Sequence, residues 1–144
     1  MLRTMALTCC LICGLADTAL AQWSRPPQRL TGPQDKLFPL DAQFQLISIN
    51  GRQATGDQTL RIDSSFRGSG FAGCNSWSAA LYPIRGQRLA MGPVALTKKI
   101  CSPAVMAEER IVLYTLHSGP IWTMDGPIVT IKSRAGTLQF RRGF

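Results

Sequence analysis

The chain has 144 residues, 45% of them hydrophobic, and a formal net charge of +8. This length is enough for one domain with one hydrophobic core. The basic residues are scattered, with no run longer than two, which argues against a nucleic-acid-binding protein. Surface charge without a specific role is the favoured interpretation, and weak contact with an anionic membrane surface is the alternative.

Residues 1–21 have the layout of a secretory signal peptide. Arg3 provides a positive start, residues 6–15 form an apolar run, and Ala19-Leu20-Ala21 is a small-x-small cleavage site. The apolar run is shorter than the roughly 20 residues that cross a bilayer, which disfavours an anchoring helix. We therefore expect cleavage after Ala21 and a periplasmic or secreted protein.

The cysteines divide between this predicted signal peptide and the rest of the chain. Cys13 follows Ile12 rather than the small residue that a lipidation site requires, so cleavage is favoured over lipidation. Removal of residues 1–21 leaves Cys74 and Cys101. An even count in an exported protein predicts one disulfide, formed in an oxidising compartment. On the chain-entropy model, closing such a loop contributes roughly 3.5 kcal/mol.

The segment 22–40 precedes the predicted domain. It contains four prolines and little periodicity, which predicts an extended, flexible lead-in. Its aromatic residues Trp23 and Phe38 have the bulk to dock on the domain, and that possibility stays open. We expect the domain itself to span residues 41–144.

The first predicted strand, 42–50, alternates apolar and polar residues. The alternation assigns Phe44, Leu46 and Ser48 to one face and Ile47 to the other. Asn50-Gly51 then predicts a tight turn into a hairpin or loop.

Eight further short strands and one helix complete the predicted domain. Ser102 and Pro103 suit the start of the helix, and Ser118-Gly119-Pro120 suits its end, near residues 103–117. The other strands are predicted at 59–62, 66–72, 78–84, 88–91, 94–99, 121–124, 128–133 and 137–141. This pattern predicts an α+β domain, mainly antiparallel, in which about seven to nine short strands form a partly closed, barrel-like sheet.

Three blocks of the sequence resemble a known family. They are Gly70–Ser78 (Gly-Phe-Ala-Gly-Cys-Asn-Ser-Trp-Ser), Leu96–Cys101 and Met106–Leu116, preceded by an opening strand and glycine at Phe44–Gly51. This pattern is similar to the META domain family of HslJ-like proteins, over roughly residues 42–142. Ala79 departs from it, because a glycine is usual there.

The resemblance implies a small β-rich envelope or secreted domain with links to stress response and no established catalytic residues. We therefore expect a monomeric, non-catalytic protein without cofactor or metal, which binds a protein or cell-envelope partner and has a maintenance role under stress. The alternative is a periplasmic inhibitor of a protease or lysozyme, with loops 85–87 and 125–127 as the candidates for entering a cleft. His117, the single histidine, is expected to be a surface or helix-capping residue.

Five residues near the cysteines, Gly73, Asn75, Trp77, Thr97 and Glu109, are predicted to be structural. Glu109 falls on the same helical row as apolar residues, and a buried carboxylate needs hydrogen-bond donors. We expect those donors from the turn Gly73–Ser78 or from the strand that contains Thr97. Asn75 is predicted to lock the turn, and Trp77 is predicted to be a core aromatic residue, with an exposed binding platform as the alternative.

Overall fold

The computed structural model describes residues 36–143; the predicted signal peptide, its cleavage site and Trp23 lie outside the described residues. Within 36–143 there are ten strands and one helix. No helix in this part of the chain is long and apolar enough to cross a membrane. The elements are β1 (Gln43–Ile49), β2 (Arg52–Gln53), β3 (Thr59–Ile62), β4 (Arg67–Phe71), β5 (Ser76–Ile84), β6 (Arg88–Met91), β7 (Ala95–Leu96), α1 (Pro103–His117), β8 (Ile121–Asp125), β9 (Ile128–Ser133) and β10 (Gly136–Arg142).

Eight of these strands form a closed antiparallel barrel. The order around the barrel is β1-β3-β4-β5-β6-β8-β9-β10, and β10 pairs with β1 to complete the ring. The two short strands β2 and β7 pair with β1 and β5 outside this ring. The predicted α+β class with mainly antiparallel strands is confirmed, and the β10–β1 pairing makes the closure complete where the sequence indicated a partial one.

A bulge in β1 changes which residues face the core. The pairing of β1 with β10 shifts register between Leu46 and Ser48, so that Ile47 is an extra residue. Because a bulge reverses the alternation beyond it, Ile49 is buried and Ser48 is not. The predicted face assignment is therefore correct for Phe44 and Leu46 and wrong for Ser48. The turn predicted at Asn50-Gly51 is present, with positive φ at both residues.

The core fills the barrel and extends into the segment that precedes β1. Phe38 is buried, and its ring centroid lies 5.8 Å from that of Phe44 and 5.1 Å from that of Trp122. Phe38 therefore docks on the barrel. The remaining core residues are mostly branched aliphatic and aromatic side chains of the strands, among them Leu60, Ile62, Leu81, Leu89, Val129, Ile131, Leu138 and Phe140.

The helix begins and ends where the sequence predicts. Ser102 is the N-cap, with its hydroxyl accepting from the Val105 N–H at 3.5 Å, and Pro103 is the first helical residue. Proline is favourable there because its missing N–H has no partner in the first turn anyway. The buried residues of α1 are Glu109, Val112, Thr115 and Leu116, and the helix packs against β1, β6, β9 and β10. Val105 is only half-buried.

The pairing between β6 and β8 is the shortest in the barrel. These strands share one paired position, Arg88 with Ile121. Two backbone hydrogen bonds flank it, from the Leu89 N–H to the Pro120 carbonyl (2.9 Å) and from the Trp122 N–H to the Gln87 carbonyl (2.7 Å). Trp122 therefore lies next to the shortest strand pairing of the barrel.

Candidate functional site

The cysteines join the β4–β5 turn to the start of the helix. Cys74 and Cys101 form a disulfide with a Cα–Cα distance of 5.9 Å. Cys101 immediately precedes the helix N-cap, Ser102. The bond therefore links the turn to the helix start, across a sequence separation of 27. The disulfide is consistent with an oxidising, exported location.

Asn75 connects three segments through its side chain. Its Oδ1 accepts from the Thr97 hydroxyl (2.8 Å) and from the Lys99 N–H (2.7 Å). Its Nδ2 donates to Glu109 Oε1 (3.0 Å) and to the Lys99 carbonyl (3.4 Å). The β4–β5 turn, the segment after β7 and the helix are thus held together by one buried amide.

Glu109 completes this arrangement from the helix. Its side chain is 4% exposed, and its Oε2 accepts from the Asn75 backbone N–H at 2.7 Å. The donors expected from the turn are therefore present, whereas the Thr97 hydroxyl bonds to Asn75 rather than to Glu109. Because both carboxylate oxygens are bound to Asn75, this buried carboxylate is engaged in holding the helix. We call Cys74, Asn75, Thr97, Cys101 and Glu109 the clasp.

Two glycines next to the clasp occupy positions that do not suit a residue with a side chain. Gly73 has a φ of +113°, a conformation that side chains rarely adopt. A β-carbon on Gly70 would lie 2.0 Å from the Thr59 carbonyl oxygen and 3.1 Å from Trp77 Nε1. Trp77 itself is buried in the core, in agreement with the favoured prediction.

A second polar contact of the helix was not predicted from the sequence. Glu108 Oε2 accepts from the Thr55 hydroxyl (2.9 Å) and from Gln58 Nε2 (3.0 Å), which ties the helix to the β2–β3 connection. Gln58 is buried. Nothing in the polar sequence around Gln58 distinguishes it from an exposed loop residue.

The other end of β5 borders an apolar groove of about 610 Å³. It is formed by the segment before β1, the β3–β4 connection, the end of β5 and one residue of β8. Its volume lies within the roughly 300–1,000 Å³ that is usual for small-molecule sites. We call it the basic apolar groove; it is lined by Lys36, Leu37, Phe38, Leu40, Phe66, Pro83, Ile84, Arg85 and Trp122.

The charged residues of this groove are both cations. Lys36 donates to the Met124 carbonyl at 3.1 Å, and Arg85 lies in the β5–β6 turn. The lining contains no aspartate or glutamate. Over residues 36–143 the one ion pair joins Arg61 to Asp41 at 3.2 Å, so neither groove cation is neutralised by a carboxylate of the described chain.

Large apolar side chains of the groove are open to solvent. Leu37 is 92% exposed, Phe66 47% and Ile84 44%. Phe66 also has a φ of +58°, which is a genuine outlier for a bulky residue. The sequence did not indicate this groove, because its residues come from four separate segments and none belongs to a recognisable motif.

Three candidates remain: His117 and the loops 85–87 and 125–127. His117 is exposed at the end of the helix. The loops 85–87 and 125–127 are short turns between paired strands, and Arg85 of the first loop also lines the basic apolar groove. In residues 36–143, no three histidine, cysteine, aspartate or glutamate side chains are placed to hold a metal ion.

A closed antiparallel barrel with one packed helix and a disulfide next to the helix start defines a small, disulfide-bonded α+β domain. The model of the META domain family matches residues 36–143. The chain therefore belongs to the META domain family, as the sequence blocks predicted.

Solved structures agree with this fold. One NMR structure is 21% identical, with a TM-score of 0.61, and the match covers 69% of this chain and 87% of that one. An NMR structure of a protein from Burkholderia xenovorans is 19% identical, with a TM-score of 0.57, covering 82% of this chain and 99% of that one. At these identities the likeness concerns the fold alone. Among curated proteins, none is significantly similar in sequence.

Proposed function

We propose that this protein is an exported, non-catalytic envelope protein that binds an apolar ligand in the basic apolar groove, as part of a binding or maintenance role under stress. The observation that carries the proposal is the groove. Its exposed apolar walls lose contact with water when a ligand enters, which favours binding by roughly 25 cal/mol for each Å² of apolar surface buried.

The clasp supports a structural rather than a catalytic role for the signature residues. Glu109 is the buried carboxylate of the described chain, and both of its oxygens accept hydrogen bonds from Asn75. A general acid or base must instead reach a substrate proton. The residues that carry the family resemblance thus support the barrel.

Two observations support export. The disulfide joins the only cysteines that remain after removal of residues 1–21, and such bonds persist in oxidising compartments. The first 21 residues have the layout of a cleaved signal. Protein recovered from the periplasm should therefore begin at Gln22, and recovery of an uncleaved chain beginning at Met1 would contradict the proposed processing.

The groove is tested with a neutral fluorescent probe, N-phenyl-1-naphthylamine, whose emission rises in an apolar site. The informative variant is Ile84→Glu, which places a charge on the groove wall. Its control is Ile100→Glu, because Ile100 is 96% exposed and lies outside the groove. Wild type and Ile100→Glu should bind the probe, and Ile84→Glu should bind roughly tenfold more weakly, since an apolar ligand cannot pair with the new charge.

Two results would refute this function. Wild-type protein that does not raise the probe emission has no apolar binding site of this kind. Equal probe binding by wild type, Ile84→Glu and Ile100→Glu would place the binding outside the groove. Thermal unfolding of each variant checks that the protein is folded in every titration.

A further inference from the structure

We infer that the ligand of the basic apolar groove is a single-chain amphiphile with an anionic head group, such as a long-chain carboxylate. This inference rests on the proposed function and specifies the chemical class of ligand that the groove accepts. Three features of the groove support it: its apolar lining, its two cations and the fixed position of one aromatic ring.

The apolar lining suits a hydrocarbon chain. Phe38 and Trp122 form the buried part of the groove, and Leu37, Phe66 and Ile84 form its exposed walls. A flexible chain fills a groove of this shape without leaving a polar group of its own unpaired. The favourable term is the removal of these apolar surfaces from water, which grows with each methylene that is covered.

The two cations select the head group. Lys36 and Arg85 both line the groove, and no carboxylate of the lining competes for them. The Arg85 guanidinium offers a planar pair of N–H donors that matches a carboxylate, and the Lys36 ammonium adds a point charge. An anionic head is therefore attracted by both residues, whereas a cationic head is repelled by both.

The backbone holds Phe66 in a position that costs free energy. Its φ of +58° is unfavourable for an aromatic residue, yet the turn around it is fixed by several hydrogen bonds. The Phe66 N–H donates to the Asp63 carbonyl and the Leu81 N–H donates to the Phe66 carbonyl, each at 2.9 Å. Asp63 Oδ1 also accepts from the Ser65 and Arg67 N–H groups, each at 2.9 Å. Strain of this kind is found at ligand clamps. In this turn the hydrogen bonds hold the half-exposed Phe66 ring on the groove wall.

The concave shape favours a free amphiphile over a bilayer. The exposed walls Leu37, Phe66 and Ile84 are open to a membrane surface as well, but Phe38 and Trp122 are buried at the inner part of a cavity of about 610 Å³. A single chain reaches them, and a flat bilayer does not. Binding to anionic vesicles alone would thus contradict the inference.

The test is a calorimetric titration with two surfactants that share a ten-carbon chain, decanoate and decyltrimethylammonium, each well below its micelle concentration. Decanoate should bind roughly tenfold or more tightly than the cationic surfactant, which corresponds to one charge-assisted contact. The double variant Lys36→Gln/Arg85→Gln should lose that preference. The control Arg52→Gln/Lys98→Gln removes the same charge from exposed residues outside the groove and should keep it.

The outcomes separate this inference from the proposed function. Equal affinity for both surfactants, or a preference that survives in Lys36→Gln/Arg85→Gln, overturns the anionic ligand while the groove remains an apolar binding site. Binding of N-phenyl-1-naphthylamine without binding of decanoate also overturns the anionic ligand and leaves the apolar site in place. Failure of the naphthylamine probe and of both surfactants overturns the proposed function as well. Binding to vesicles of anionic lipid without binding of free decanoate replaces the amphiphile by a membrane surface.

Discussion

Replacement of Glu109 by glutamine tests the clasp with a change of almost no volume. The amide keeps one oxygen acceptor and places an NH₂ donor where the other oxygen was. One of the two hydrogen bonds from Asn75, at 2.7 and 3.0 Å, is then replaced by two donors that face each other. Asn75 cannot turn its amide round without losing the bonds from Thr97 and Lys99 to its Oδ1.

The magnitude follows from the burial of this pair. A hydrogen bond to a charged group contributes about 1.5–3 kcal/mol, and a buried donor left unpaired costs about 1–3 kcal/mol. We therefore expect Glu109→Gln to lower the free energy of unfolding by about 3 kcal/mol, or the melting temperature by roughly 10 °C. Glu109→Ala should cost at least as much, because it leaves the Asn75 backbone N–H without a partner and leaves Asn75 Nδ2 with only its longer bond to the Lys99 carbonyl, at 3.4 Å.

The assay is thermal unfolding followed by circular dichroism, with urea unfolding to give the free energy. The control is Asp125→Asn, the same chemical change at an exposed carboxylate, which should alter stability by less than about 0.5 kcal/mol. If Glu109→Gln and Glu109→Ala both melt within about 2 °C of wild type, the structural role of Glu109 is wrong.

Two further predictions concern the disulfide and a glycine. Replacing Cys74 and Cys101 together by serine should lower the free energy of unfolding by roughly 3.5 kcal/mol. Reductant should destabilise wild type but not the double variant, and equal sensitivity of the two proteins to reductant would contradict the bond. Gly70→Ala should cost more than about 3 kcal/mol in urea unfolding, because its new carbon would lie 2.0 Å from the Thr59 carbonyl oxygen. The control is Gly92→Ala, which should cost less than about 1 kcal/mol because its new carbon would lie 3.5 Å from the nearest atom. A similar loss of stability in both variants would argue against the close approach at Gly70.

Local patterns in the sequence were enough to predict most of the elements. The helix at Pro103–His117 follows from Ser102, Pro103 and the apolar row, all of which act within a few residues. The strands β9 and β10 follow from plain alternation. Closure of the barrel depends instead on pairing between β1 and β10, which lie at opposite ends of the domain, and local periodicity does not encode such a pairing.

Departures from periodicity explain the errors. The bulge at Ile47 reverses the alternation of β1, and no residue type marks it beforehand. The strand predicted at 94–99 is reduced to Ala95–Leu96. Beyond Leu96, the Thr97 hydroxyl and the Lys99 N–H donate to the Asn75 side chain, and Lys99 is no longer part of a strand. A tertiary contact therefore overrides strand propensity there.

The clasp and the groove differ in how far the sequence predicts them. The clasp residues lie within the blocks that resemble the META domain family, Gly70–Ser78, Leu96–Cys101 and Met106–Leu116. Every residue that lines the groove lies outside those blocks. The residues of these blocks thus hold the helix to the β4–β5 turn, and the proposed ligand preference depends on residues outside the blocks.

The most direct test of groove binding is a titration of ¹⁵N-labelled protein with decanoate, followed by two-dimensional NMR. We predict that the amide signals of Phe66, Ile84 and Arg85 and the indole signal of Trp122 shift in a saturable manner, while those of Asn75 and Glu109 stay in place. The clasp and the groove lie at opposite ends of the nine-residue strand β5, roughly 25 Å apart, so the two sets of signals are well separated. Shifts centred on the clasp, or spread evenly over the barrel, would contradict binding in the groove.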